Sequence, residues 1–345
     1  MRYMDWSFRR VRAALFVAML GLAACDSGDL VSMTEEAPLG RVAVVANHDR
    51  TLTLIPFADS VAVRTLPLGV EGDLAGIAVR GDRAVVPLGA PGVAVVNLQS
   101  GLVERIVPLP GTARGVAFVS DTLVAVASPS AGAVFFLNPL RGAPVRTLAT
   151  GGRPEVVQES GGRLFVLSPA LSGEPGNGFL VLLDSTAVPA VVELGAPNPR
   201  ALAVRGALVY VLNAGDAGRA NGSVSVVSIA ARREVGLLRG FGESPEAMVL
   251  SPRGELYVAV PTRGVVVYDL AGNFVRGMDA PINASGTAPA SRVAIDPAGF
   301  MYMLHRGSCT APGLLVRLDL NGDPASSART GICPVAVEFT SLPRR

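Results

Sequence analysis

Four charged residues of alternating sign recur along the chain at nearly constant spacing. Arg114, Glu155, Arg200 and Glu246 stand 41, 45 and 46 residues apart. Carboxylates and guanidinium groups gathered around a cavity can bind a polar or charged small ligand. Charges of opposite sign can equally neutralise one another as ion pairs. The spacing therefore predicts a polar site or a ring of salt bridges, provided that one structural element recurs with this period.

Histidine and cysteine, which supply most metal ligands and many catalytic groups, are scarce. The 345 residues include 2 His and 3 Cys, and there is no Lys. The absence of Lys excludes a lysine-bearing phosphate loop and a Schiff-base lysine. The chain also contains no GxSxG, HExxH or CxxC motif. A zinc site takes three or four ligands, and His48 and His305 have no clear third partner, so we predict no catalytic residue, metal or other cofactor.

The charged residues sit at the openings of a repeat. Similar segments begin at Leu74 (LAGIAV), Ala113 (ARGVAF), Pro154 (PEVVQE), Pro199 (PRALAV), Pro245 (PEAMVL), Ala290 (ASRVAI) and Pro334 (PVAVEF). Their spacing of 39 to 46 residues falls in the range of four-stranded propeller blades. Half of the chain is apolar, 39 Gly and 26 Pro supply turns, and no helix-period segment follows residue 24. These features predict an all-β fold.

The last repeat opens but is not continued. Residues 331–339 carry the opening of a further unit, and residues 41–72 read as a blade that lacks its opening strand. The C-terminal strand can supply the missing piece. We therefore predict one domain over residues 41–342, a seven-bladed β-propeller with four-stranded blades, closed by the C-terminal strand pairing into the first blade.

This topology predicts which residues meet at the mouth of the central channel. The charged residues follow the repeat openings, and the second strands of five blades end in polar residues on the same face. Both histidines fall on neighbouring blades there. Ion pairing and ordinary loop hydrogen bonding are the alternatives to ligand binding for these side chains. The predicted binding residues at the channel mouth are Asn47, His48, Arg114, Glu155, Ser168, Arg200, Asn213, Glu246 and His305.

Cys309 and Cys333 fall in loops on the same face of the predicted ring. Cys309 lies between the second and third strands of the last blade, and Cys333 immediately precedes the closing strand. Disulfides form and persist in exported proteins, and the N-terminal segment described in the next paragraph predicts export. We predict a disulfide between these cysteines, which would pin the ring where it closes, and two free thiols are the alternative.

The N-terminal segment predicts export. Residues 1–24 combine four Arg with an apolar run of about a dozen residues, and Leu22-Ala23-Ala24-Cys25 follows. This tetrapeptide resembles the bacterial lipobox, which implies cleavage before Cys25 and lipidation of its thiol. An ordinary signal with a chance cysteine is the alternative. Residues 25–40 are polar and acidic and predict a lipidated tether, so we expect an extracytoplasmic protein that is lipid-anchored to a bacterial membrane, on its periplasmic side or at the cell surface.

Loss of residues 1–24 removes four Arg and one Asp, so the formal charge changes from +2 to about −1. This balance gives no basis for binding nucleic acid. We expect a monomer whose partners are the membrane, reached through the lipid anchor, and an unknown protein or small molecule at the channel mouth.

Several segments carry a family resemblance. VVAN from Val44, YVLN from Tyr210 and GSVSVV from Gly222 resemble the YVTN repeats of bacterial seven-bladed propellers, the YncE-like family. LSPRGELYVAV and IDPAGFMYMLH, in the last two blades, are similar to NHL repeats and to the SMP-30/gluconolactonase group. The first resemblance implies an exported binding scaffold. The second implies, as the alternative, a metal-dependent lactonase or a streptogramin-type lyase, with Glu155, Glu246, Asn47, Asn213 and His305 as the residues that match a metal site.

Overall fold

The computed structural model describes residues 38–57, 62–169, 177–184, 189–284 and 290–343. The predicted signal segment 1–24, Cys25 and residues 26–37 of the predicted tether lie outside the described residues. Every regular element in the described ranges is a β-strand. Within those ranges, no helix has the length and apolarity that crossing a bilayer requires.

The strands form seven antiparallel four-stranded sheets, and each sheet is one blade with an innermost, a second, a third and an outermost strand, in that order. Blade one contains β28 (Pro334–Pro343), β1 (Pro38–Asn47), β2 (Thr51–Pro56) and β3 (Arg64–Pro67). Blade two contains β4 (Ala78–Arg80), β5 (Arg83–Pro87), β6 (Val93–Asn97) and β7 (Leu102–Val107). Blade three contains β8 (Val116–Ser120), β9 (Leu123–Ser128), β10 (Ala133–Leu137) and β11 (Pro144–Ala149).

The remaining blades follow the chain in the same order. Blade four contains β12 (Val156–Ser160), β13 (Arg163–Ser168), β14 (Asn177–Leu183) and β15 (Ala190–Pro197). Blade five contains β16 (Pro199–Arg205), β17 (Leu208–Asn213), β18 (Ser223–Ser228) and β19 (Arg233–Arg239). Blade six contains β20 (Ala247–Leu250), β21 (Glu255–Val260), β22 (Gly264–Asp269) and β23 (Asn273–Arg276). Blade seven contains β24 (Arg292–Ile295), β25 (Met301–His305), β26 (Pro312–Leu318) and β27 (Pro324–Ile332).

The C-terminal strand closes the ring, as predicted. β28 pairs antiparallel with β1, with Val45 opposite Val337 and Ala43 opposite Phe339. The pairing extends to Pro38 opposite Pro343, so β1 begins three residues before the predicted start of the propeller at residue 41. The predicted seven-bladed, all-β fold is therefore confirmed, including its closure by both ends of the chain.

Further bonds fasten the closure. The Cys309–Cys333 disulfide is present and joins the loop after β25 to the residue before β28. The amide of His48 donates to the Cys333 carbonyl at 3.1 Å. The amide of Ile332 donates to the Asp49 carboxylate at 2.8 Å. Blade seven, the closing strand and blade one are thus held together by covalent and hydrogen bonds.

The second and third strands of each blade are largely apolar on both faces because neighbouring blades cover both sides. Ala43 and Val45 of β1 share one buried cluster with Tyr302 and Leu304 of β25, while Val337 packs against it. Full burial of one such aliphatic side chain contributes about 1.5–3 kcal/mol. The outer strands face solvent, and all four residues of β23 are exposed.

The chain just before inner strand β8 lies close to the next blade at a glycine. A Cβ added to Gly115 would lie 2.5 Å from the carbonyl oxygen of Glu155 and 2.9 Å from the amide nitrogen of Val157. A Cβ added to Gly76, two residues before β4, would find no atom closer than the carbonyl oxygen of Arg114, at 3.7 Å. The missing side chain of Gly115 therefore allows the close approach of blades three and four at this point.

We expect Gly115→Ala to lower the free energy of unfolding by about 1–3 kcal/mol, because the new methyl group forces two inner strands apart. Gly76→Ala is the matched control, because its methyl group fits without a clash. The same methyl group restricts the unfolded chain, so the free energy of unfolding should rise by up to about 1 kcal/mol. Chemical denaturation of both variants checks this. Equal stabilities of the two variants would contradict the close approach of blades three and four.

Candidate functional site

Three of the four charged residues at the repeat openings are presented by equivalent backbone hydrogen bonds. The amides of Arg114, Glu155 and Glu246 donate to second-strand carbonyls of their own blades, each at 3.0 Å. Arg200 instead occupies a bulge, since Pro199 pairs with Asn213 and the regular register resumes at Ala201. The main chain beneath these side chains is therefore fixed at the start of each inner strand.

Two adjoining cavities occupy this end of the channel. The first, of about 580 Å³, is lined by Arg114, Glu155, Arg200, Glu246, Arg292 and Arg306 among others. The second, of about 1150 Å³, is lined by His48, Asp73, Arg153, Cys309, Cys333 and Val335 among others. They share Ala75, Arg114, Arg292 and Arg306. We call the first the mouth cavity and the second the side cavity.

Glu246 is neutralised within the mouth cavity. Its Oε2 lies 2.9 Å from Nη1 of Arg292 and 3.3 Å from Nη2 of Arg306. Arg292 also donates from Nε to the Val335 carbonyl at 3.2 Å, which links this cluster to the closing strand. Burial lowers the pKa of the Arg292 guanidinium, and the Glu246 carboxylate acts in the opposite direction.

Sequence reasoning missed both arginine partners of Glu246. Arg292 lies one residue beyond the opening position that carries the other charges, and Arg306 directly follows the second strand of blade seven. Their positions next to a repeat opening and a second-strand end could have indicated that they lie at the channel mouth. Ion pairing between neighbouring blades, the alternative to ligand binding, is found for Glu246, but its partners are these arginines of blade seven rather than Arg200.

Arg114, Glu155 and Arg200 remain without an ion pair within 4 Å among the described residues. Both arginines are exposed, and Glu155 is partly exposed. They belong to consecutive blades three, four and five and line the same cavity. Three charges in the order plus, minus, plus are thus available to a ligand.

The two cavities together carry an excess of positive charge. Five arginines line them, against three carboxylates, at Asp73, Glu155 and Glu246. The full chain has a formal charge of +2, and the chain without residues 1–24 has about −1, so the basic character is local. A concave basic surface attracts anions, because the field is concentrated between low-dielectric walls.

The polar residues at the second-strand ends have a different role. Asn47, Ser168, Asn213 and His305 are buried and are not among the residues that line either cavity. The side-chain nitrogen Nδ2 of Asn47 donates to Oγ1 of Thr53 at 3.0 Å. Nδ2 of Asn213 donates to Oγ of Ser225 at 2.9 Å. The prediction that they face the mouth is corrected: these two amides join the second strand to the third.

Of the predicted binding residues, five line the cavities. Arg114, Glu155, Arg200 and Glu246 line the mouth cavity, and the exposed His48 lines the side cavity. His305 is buried, so the two histidines do not share a cavity. Whether the five bind a ligand stays a prediction.

The residues that the second resemblance implied for a divalent metal do not fit one. Glu155 and Glu246 line the mouth cavity, whereas Asn47, Asn213 and His305 are buried away from it. In the described ranges, no three His, Cys, Asp or Glu side chains cluster closely enough to hold a metal ion. No metal-dependent step is assigned to this site.

The opposite end of the channel contains one carboxylate on the closing strand. A cavity of about 880 Å³ is lined by inner-strand residues of all seven blades, and Glu338 is the contribution of β28. Desolvation by the surrounding ring raises the pKa of the Glu338 carboxyl to about 7, and a hydrogen bond from the Phe339 backbone opposes the shift. The side chain is nevertheless exposed to the channel, where solvent screens part of this effect.

Solved structures share the fold of this chain. It is similar to Kuenenia stuttgartiensis hydrazine synthase, with 14% sequence identity and a TM-score of 0.61, over 84% of this chain and 99% of that chain. It is also similar to the computationally designed Ika8 protein, with 13% identity and a TM-score of 0.62, over 89% of this chain and 91% of that one. Identities this low show the fold alone. No family model and no curated protein match the chain.

Glu338 predicts a pH dependence of stability. Its pKa is about 7 in the folded chain against an ordinary value of 4.5, so between these pH values the unfolded chain has released a proton that the folded chain retains. Stability should therefore fall as the pH rises from about 5 to about 7. In denaturation at pH 5 and pH 8, Glu338→Gln should lose less stability than the unmodified chain. The same loss in both would show that Glu338 titrates normally.

Proposed function

We propose that this chain is an exported β-propeller, lipid-anchored through Cys25 outside the cytoplasm, whose basic mouth cavity binds an anionic ligand. The anchoring part is supported by the basic and apolar segment of residues 1–24 and by the Leu-Ala-Ala-Cys sequence that ends at Cys25. The Cys309–Cys333 disulfide fits an oxidising compartment. The likeness of β1 and of β17–β18 to YVTN repeats supports placing the chain with YncE-like propellers.

One observation carries the binding function: Arg114 and Arg200 are exposed in a cavity of about 580 Å³ and form no ion pair among the described residues. Guanidinium groups bind carboxylates and phosphates through paired, charge-assisted hydrogen bonds. The cavity has the volume of a small-molecule site. No metal-ligand set supports the lactonase or lyase alternative within the described residues, so the proposed activity is binding.

Citrate tests the anion site. We expect the mature protein to bind citrate in calorimetric titration at low salt, with weaker binding as salt rises. Arg114→Gln/Arg200→Gln should weaken binding at least tenfold, because each charged hydrogen bond contributes about 1.5–3 kcal/mol. The control, Arg239→Gln/Arg276→Gln, removes two exposed arginines of outer strands β19 and β23. Equal affinity in both double variants would refute an anion site at the mouth.

Lipid anchoring has a separate test. When the full chain is expressed in a bacterium, it should incorporate a fatty-acid label and fractionate with membranes. Cys25→Ala should abolish the label, because the Cys25 thiol is the proposed attachment point of the acyl chains. A Cys25→Ala protein that still incorporates the fatty-acid label would count against the anchor and leave the binding site unaffected.

A further inference from the structure

We infer that the ligand of the mouth cavity is a small zwitterion, an ammonium group flanked by acidic groups, as in an acidic α-amino acid or a short acidic peptide. This inference rests on the proposed anion-binding function and specifies the ligand. It follows from Glu155, which a simple anion site would not contain.

Glu155 differs from the other carboxylate of the cavity. The Glu246 carboxylate lies against two guanidinium groups, at 2.9 Å from Arg292 and 3.3 Å from Arg306. Glu155 has no such partner within 4 Å among the described residues. Its negative charge in a basic cavity would repel a purely anionic ligand. A cationic group on the ligand removes that repulsion and gives the carboxylate a partner.

Glu155 and Arg114 lie side by side but do not pair with each other. Gly115, which follows Arg114, approaches the Glu155 carbonyl so closely that an added Cβ would lie 2.5 Å from it. The amides of both charged residues are fixed to their own second strands at 3.0 Å. The backbone therefore holds the bases of the two side chains as neighbours, while their charged ends remain available to bind a ligand.

Arg200 supplies the third charge from the next blade. Glu155 thus lies between two arginines of blades three and five. The complementary ligand carries negative, positive and negative groups in that order. The cavity volume of about 580 Å³ suits a molecule of amino-acid or short-peptide size.

L-glutamate and glutarate are matched probes, because both are five-carbon dicarboxylates and only L-glutamate carries an α-ammonium group. We expect the mature protein to bind L-glutamate at least tenfold more tightly than glutarate in calorimetric titration at low salt. Glu155→Gln should bring the two affinities together, weakening L-glutamate and strengthening glutarate. Glu193→Gln, an exposed position on outer strand β15, should preserve the preference, and thermal denaturation of both variants verifies folding.

The outcomes separate the two proposals. Glutarate binding as tightly as L-glutamate would overturn the zwitterion inference and leave the anion site in place. A preference for L-glutamate that persists in Glu155→Gln would overturn the role of Glu155. Failure of both probes to bind at millimolar concentration would overturn the inference, and failure of citrate as well would overturn the anion site.

Discussion

The pairing of β28 with β1 is the constraint on which the rest of the structure depends. Each blade buries its apolar faces against two neighbours, so an open ring would expose the cores of blades one and seven. The mouth cavity depends on the same closure. Arg292 is bonded to the Val335 carbonyl of the closing strand, and Arg306 belongs to the loop that the Cys309–Cys333 disulfide fastens. The arginines that neutralise Glu246 are thus held by the chain segments that close the ring.

Coverage by neighbouring blades explains where charge can appear. Middle-strand residues such as Val45 and Val126 are fully buried, because sheets lie on both sides of them. The coverage ends where an inner strand begins, and charged side chains occupy that position in blades three to six. The ring therefore provides a rigid framework, while single residues at its mouth determine the chemistry of the site. On the closing strand, Glu338 lines the cavity at the other end of the channel, where the surrounding ring makes its ionised form less favourable.

The sequence predicted the fold because its signals are periodic. Repeat openings at Leu74 through Pro334 indicated the number of blades, and the unfinished last repeat indicated the closure. The disulfide followed from the loops that this topology assigned to Cys309 and Cys333.

The candidate site was predicted in part, since Arg114, Glu155, Arg200 and Glu246 do line one cavity. The burial of Asn47 and Asn213 could not be predicted from the sequence, because the repeat pattern indicates where a strand ends but not whether neighbouring chain segments cover that end. The ion-pair partners of Glu246 depend on side-chain directions that repeat spacing does not encode.

Native-state amide hydrogen exchange over residues 335–342 of β28 tests the ring closure most directly. If this strand belongs to blade one, its hydrogen-bonded amides should exchange as slowly as those of Ala43 to Ala46 on β1, through unfolding of the closed ring. If the amides of residues 335–342 exchanged as fast as those of an unstructured chain end while β1 stayed protected, the closure and the site geometry derived from it would be contradicted.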